Sequence, residues 1–214
     1  MDMAAIQALA APHFLDIFGA FHASDDDGCA PGTMVLLSPL EPGFWAHVQA
    51  EPEFTDDAPD PLDRWSARVI TTLAELTGGA AHFPFGGPPY APFIRWATRT
   101  GRAWPSPVGM LVHDTAGLLI SIRGAILLPD LLDLPPTAPQ SPCETCARPC
   151  LSACPVGALG PHPYDVPACH AFLDTTAGAD CLTRGCLVRR ACPVSQGFGR
   201  DTAQTAHHMR YFHK

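Results

Sequence analysis

No run in the 214 residues approaches the roughly 20 apolar residues that span a bilayer, so no membrane-crossing helix is expected. Basic charge is also scarce. The chain has 13 Lys and Arg against 21 Asp and Glu, a formal net charge of -8. The deficit lies at one end: residues 1–139 hold six basic and sixteen acidic side chains, whereas residues 140–214 hold seven and five. Nucleic-acid recognition needs a basic face, and the acidic first part argues against it. The Met1-Asp2 start has no basic n-region, and Phe14 to Phe21 is too short and too interrupted for the apolar core of a signal peptide. A flavin-phosphate motif is missing as well. The expectation is a soluble cytoplasmic protein with neither a membrane nor a nucleic acid as partner. Nearly half the residues are apolar, enough to bury a real core.

Cysteine is abundant, and it is concentrated. Eight of the nine fall in one fifty-residue stretch: Cys143, Cys146, Cys150, Cys154, Cys169, Cys181, Cys186 and Cys192. Eight thiolates suffice for two four-iron clusters with four ligands each. The first run is similar to the bacterial two-cluster ferredoxin pattern C-x2-C-x2-C-x3-C-P, departing by one residue between Cys146 and Cys150. Pro155 and Pro193, each directly after a cysteine, fix φ and steer the chain away. In the ferredoxin pattern the fourth cysteine of each run crosses to the other cluster. Mapped here, Cys143, Cys146 and Cys150 take Cys192, and Cys154 joins Cys169, Cys181 and Cys186. Zinc also takes four thiolates, and Cys-x2-Cys is a common half-site for it. A disulfide framework is a third reading, disfavoured for a cytosolic chain. Cys29, alone in a loop, reads as an ordinary thiol.

Before the cysteines the pattern mixes helix and strand. Residues 4–21 read as an amphipathic helix interrupted by Pro12. Thr33 to Ser38 reads as a buried strand, and Glu41 to Gln49 as a helix. Asp60-Pro61-Leu62-Asp63 is a helix start, with Asp60 at the N-cap and Pro61 at N1. Leu62, Trp65, Val69, Leu73 and Leu76 give that helix one buried face, and Gly78-Gly79 ends it. Phe83 to Phe93 is a stiff Pro-, Gly- and aromatic-rich loop, either shaped for a flat ligand or a packed connection. Ile94 to Gly101 reads as a short helix carrying Arg95 and Arg99. Val108–Val112 and Leu118–Ile122 read as a hairpin around His113 to Gly117. Arg123, inside an apolar run, needs a partner: a structural salt bridge or a bound anion. Leu134 to Pro139 reads as a linker. A helix is expected over Val166 to Leu173. The tail with His207, His208 and His213 is expected to be docked or frayed.

Two resemblances follow from these residues. Residues 140–193 resemble the iron–sulfur domain of epoxyqueuosine reductase, a cobalamin-dependent enzyme with two four-iron clusters. The likeness rests on the first cysteine run, the isolated Cys169 and the closing Cys192-Pro193. Residues 33–134 resemble the intracellular cobalamin-processing family of the methylmalonic aciduria and homocystinuria type C group. That likeness rests on Asp60-Pro61-Leu62-Asp63, the Tyr90 loop, and Ile122-Arg123-Gly124-Ala125-Ile126-Leu127-Leu128-Pro129-Asp130-Leu131. The resemblance implies a nitroreductase-like scaffold and access to the cobalt of a corrinoid. In the second family the arginine matching Arg123 helps bind glutathione. The catalytic acid of epoxyqueuosine reductase is not located here, and its C-terminal helical repeat is missing, which argues against a tRNA substrate.

The expectation is therefore an α/β (α+β, nitroreductase-like) domain over residues 1–139, followed by a ferredoxin-like two-cluster domain over residues 140–214. Two [4Fe-4S] clusters would pass single electrons to a centre in the first domain. Resemblance suggests a cobalamin there, near Tyr90, Arg95 and Arg123, with no catalytic residue assigned. A protein electron donor or acceptor is the expected partner. The competing readings are a ferredoxin-like carrier whose first domain only docks a partner, and a zinc-stabilised binding module.

Overall fold

The computed structural model describes residues 1–137 and 140–214. In chain order it contains α1 (Met3–Ala10), β1 (Leu15–Ala23), β2 (Gly32–Pro39), α2 (Phe44–Gln49), α3 (Pro61–Thr77), β3 (Ala80–His82), α4 (Phe93–Arg99), β4 (Ala103–Pro105), β5 (Leu111–His113) and β6 (Gly124–Leu128). The cysteine-rich part adds α5 (Val166–Leu173), α6 (Ala179–Arg184), α7 (Leu187–Arg190), α8 (Pro193–Gly197) and α9 (Thr202–Phe212). The mixed helix and strand content is that of an α+β protein.

The chain forms two compact units: residues 1–102 with 121–139, and residues 103–120 with 140–214. The sequence reading places residues 103–120 in the first domain; they fold with the cysteine-rich part instead. The reason is apolar packing: Val108, Val112 and Leu118 are buried in one cluster with Cys150, Leu159, Val188 and Cys192. Of the expected linker, Ala138 and Pro139 lie outside the described residues.

The first unit is built on a four-stranded sheet of order β1-β2-β6-β3, every neighbouring pair antiparallel. β2 is buried along its whole length. Val35 and Leu37 share a core with Leu15, Ala20, Ile126 and Leu128 of the sheet and with residues of α1, α2 and α3. Successive strand residues alternate faces, so the equally buried Met34, Leu36 and Ala125 point the other way. α3 presents Leu62, Trp65, Val69, Ile70 and Leu73 to this core and ends at Gly78 in the left-handed conformation (φ 70°), as its sequence predicts. Its start differs in detail. Asp60 has φ 53° and its carboxylate caps no N–H; Pro61 still occupies the first turn.

Two expectations are corrected. Residues 4–21 are not one interrupted helix: α1 stops at Ala10, a 3-10 turn spans Ala11–His13, and Leu15–Ala23 is a strand. Pro12 cannot continue an α-helix, and Phe14 turns the chain with φ 53°. The hairpin over 108–122 is also different. β5 pairs backwards with β4, Trp104 opposite Val112. His113 and Gly117 exchange both backbone hydrogen bonds, at 3.0 Å each, but the ladder stops there. Leu118 and Leu119 go into a core rather than into a strand.

Candidate metal centre

In the second unit, short helices and turns carry the thiols. Cys150 lies in a 3-10 turn over Pro149–Ser152, Cys169 on α5, Cys181 on α6, Cys186 at the N-cap of α7 and Cys192 at the N-cap of α8. Asp165 starts α5 by accepting a hydrogen bond from the Ala168 N–H at 2.9 Å. α5 has the bounds the sequence predicts. Gly185, between Cys181 and Cys186, has φ 91°, and a Cβ there would lie 2.0 Å from Thr205 Cγ2. Only glycine lets the α6–α7 turn approach α9 this closely.

The fold divides the eight thiols into two groups. One cavity is lined by Cys154, Cys169, Cys181 and Cys186, with apolar walls that include Leu159, Phe172, Leu173 and Val188. Its free volume, about 20 Å³, is water-sized. In the other group, burial pushes the Cys143 thiol up, and nearby Cys192 and Cys146 push it further. The Cys150 thiol is raised in the same way, by burial and then by Cys143, Cys192 and Cys146. Cys169 is raised by burial, with Cys186 and Cys154 adding to the effect. Burial is also the main cause of the upward shift of Cys181, with Cys186 close by. All nine cysteines are free thiols. Among the described residues, no three His, Cys, Asp or Glu side chains are grouped as a single metal ion would need. In a cubane each thiolate binds a different iron, so its ligands stand further apart than those of one ion.

Donors aimed at sulfur accompany both groups. The Arg148 N–H points to Cys146 Sγ at 3.3 Å and the Ala158 N–H to Cys154 Sγ at 3.2 Å. The Tyr164 side chain lies beside Cys169, close enough to favour the thiolate there. Burial lowers the pKa of Arg189, with nearby Cys186 acting in the opposite direction, and its Nη1 donates to the Leu118 carbonyl at 3.1 Å. Tyr164 was not singled out by the sequence reading, because nothing in its spacing marks it as a neighbour of sulfur.

The candidate ligand residues of the first unit sit in three different settings. Arg123 is buried and ion-paired with Asp63, and its Nε donates to Ser66 Oγ at 3.1 Å. That is the structural salt bridge of the two roles considered for it. Arg95 is half in water, with Asp27 at 3.8 Å. Tyr90 is exposed in the loop before α4. Arg99 is better placed against Asp27, at 2.8 and 3.0 Å. Of the tail histidines, His213 pairs with Asp174 at 2.8 Å. Cys29 is half-buried, and its thiol is raised by burial and by Asp27 and Asp25.

No protein-family model, curated protein or solved structure matches this chain.

Proposed function

We propose that the chain is an iron–sulfur redox protein. Cys143, Cys146, Cys150 and Cys192 would hold one four-iron cluster, and Cys154, Cys169, Cys181 and Cys186 the other. The observation that carries this reading is the sorting of the thiols: four line one cavity, and the other four neighbour one another. Both sets match the crossed pairing implied by the ferredoxin pattern. When bound, the clusters supply single low-potential electrons. The chain's own residues hold the thiols in place, exclude water with apolar walls, and direct N–H donors at sulfur. Because burial raises the Cys143, Cys150, Cys169 and Cys181 thiols, loading metal on them releases protons and is disfavoured in acid.

The electron acceptor is the open part. A corrinoid held by the first unit follows from the sequence resemblance, with Tyr90 and Arg95 as the residues still placed to meet a ligand. Against it, Arg123 is already engaged by Asp63 and Ser66. That engagement favours the second reading, a ferredoxin-like carrier whose first unit docks a partner. Anaerobic purification with iron and sulfide counting tests the centre: about eight irons per chain are expected under the two-cluster arithmetic. Colourless protein containing zinc would replace this reading with a zinc module. Adding cob(II)alamin separates the two acceptor readings. A change in its visible spectrum supports the corrinoid, and an unchanged spectrum supports the carrier.

A further inference from the structure

The second unit has a larger cavity that the cysteines do not line. Its volume is about 430 Å³, and it lies among α6, α7, α8 and the start of α9. That volume lies in the range of small-ligand sites, roughly 300–1,000 Å³. Three arginines, Arg184, Arg190 and Arg200, line it. Arg184 and Arg190 share one carboxylate, Asp180: Arg190 pairs with it directly, and Arg184 stands 3.5 Å away with a side chain 64% exposed. One acid between two guanidiniums leaves a surplus of positive charge. Arg200, whose guanidinium lies 5.6 Å from the Phe198 ring centroid, also lines the cavity. Thr202 also lines the space, whereas Ser195 Oγ, Gln196 Nε2 and Thr205 Oγ1 are bonded within the protein, to Leu118, Arg190 and Asp201.

We propose that this cavity binds a small phosphate-bearing ligand, a phosphomonoester or diphosphate. Planar guanidinium forks match phosphate oxygens in pairs, and several of them converging from separate elements suit a multiply charged group better than a single carboxylate. Thr202 and Thr205 belong to the first turn of α9, whose positive dipole end adds to the field. The Asp201 carboxylate already accepts the Ala203 N–H at 2.7 Å, so the arginines rather than free backbone N–H groups provide the main hold. The proposal does not depend on what the cysteines carry.

The test is calorimetric titration of the full-length protein, purified anaerobically, with pyrophosphate and separately with citrate. Saturable pyrophosphate binding is expected, weakened about tenfold by Arg184→Gln and reduced by added salt. Arg184 is largely exposed, so this variant should keep its fold, which an unchanged thermal melt verifies. Arg210→Gln, a surface change outside the cavity lining, serves as the control and should leave binding unaltered. Absence of saturable pyrophosphate binding, tighter binding of citrate than of pyrophosphate, or equal losses in the Arg184 and Arg210 variants would each overturn the proposal.

Discussion

Under the proposed iron–sulfur reading, Tyr164 would act on a cluster without ligating it. Its ring stacks on Phe212, centroids 6.0 Å apart, which fixes the hydroxyl beside Cys169. A hydrogen bond to a ligand sulfur favours the more electron-rich, reduced state, and so raises the potential. Tyr164→Phe keeps the ring and removes only the donor. The cluster held by Cys169 should then become harder to reduce. The shift is about 59 mV for each tenfold of lost preference for the reduced state. Redox titration followed by electron paramagnetic resonance measures it, and an unmoved midpoint would refute the assignment. Arg123 is the corresponding residue in the first unit. Its partner Asp63 is 41% exposed, so water already weakens the pair. Asp63→Asn would leave a buried guanidinium with Ser66 as its remaining polar partner. The expected loss is about 2–3 kcal/mol, below the ~3–5 kcal/mol typical of a fully buried pair. Urea unfolding measures this loss.

At the scale of elements, α3 is joined to the segment before it through charge. Arg68 Nε donates to Glu53 Oε1 at 2.6 Å, and Nη2 reaches Glu53 Oε2 at 3.0 Å and Glu51 Oε2 at 2.6 Å. Glu53 is buried, and the Arg68 hydrogen bonds hold its carboxyl below the usual carboxylate range. A lowered folded pKa contributes stability above the unfolded value of about 4.3, and that stability disappears as the pH falls through the folded value. Glu53→Gln should therefore cost about 1 kcal/mol at neutral pH, because Arg68 is nearly half exposed, and progressively less in acid. Tryptophan fluorescence during urea unfolding, repeated at decreasing pH, should show the two stabilities converge. The same scale shows what the sequence concealed. The apolar residues Phe14, Leu15, Phe18 and Phe21 have helix-like spacing, yet they lie in or beside β1. A bulge causes the confusion: Ile17 pairs with Leu37 and Gly19 with Leu36, leaving Phe18 as an extra residue. That insertion breaks the period of two and leaves steps of three. By contrast α3, β2 and α5 were legible, since caps, continuous apolar runs and uninterrupted periodicity are local signals.

At the scale of the whole molecule, the ferredoxin-like spacing offers a cysteine partition from local sequence alone, whereas the contribution of residues 103–120 was not legible. These residues precede the first of the eight clustered cysteines by more than twenty positions, and only folding brings them to Cys192. Gly117 has φ 58°, and a Cβ there would lie 2.5 Å from Ser195 N, 2.6 Å from Ser195 Oγ and 2.9 Å from Cys192 Sγ. Ser195 is itself fixed, accepting the Leu118 N–H at 2.8 Å. Gly117→Ala must therefore displace the α8 start or the thiol, and either movement pulls Cys192 from the set it shares with Cys143, Cys146 and Cys150. The other set contains no residue within this contact. Iron should thus fall from about eight per chain towards about four, with the loss confined to one centre. Cys186→Ser supplies the complementary case by disabling the other centre. If the two variants show the same remaining spectrum, or if Gly117→Ala retains all its iron, then residues 103–120 do not support the first centre and the ligand sets must be redrawn.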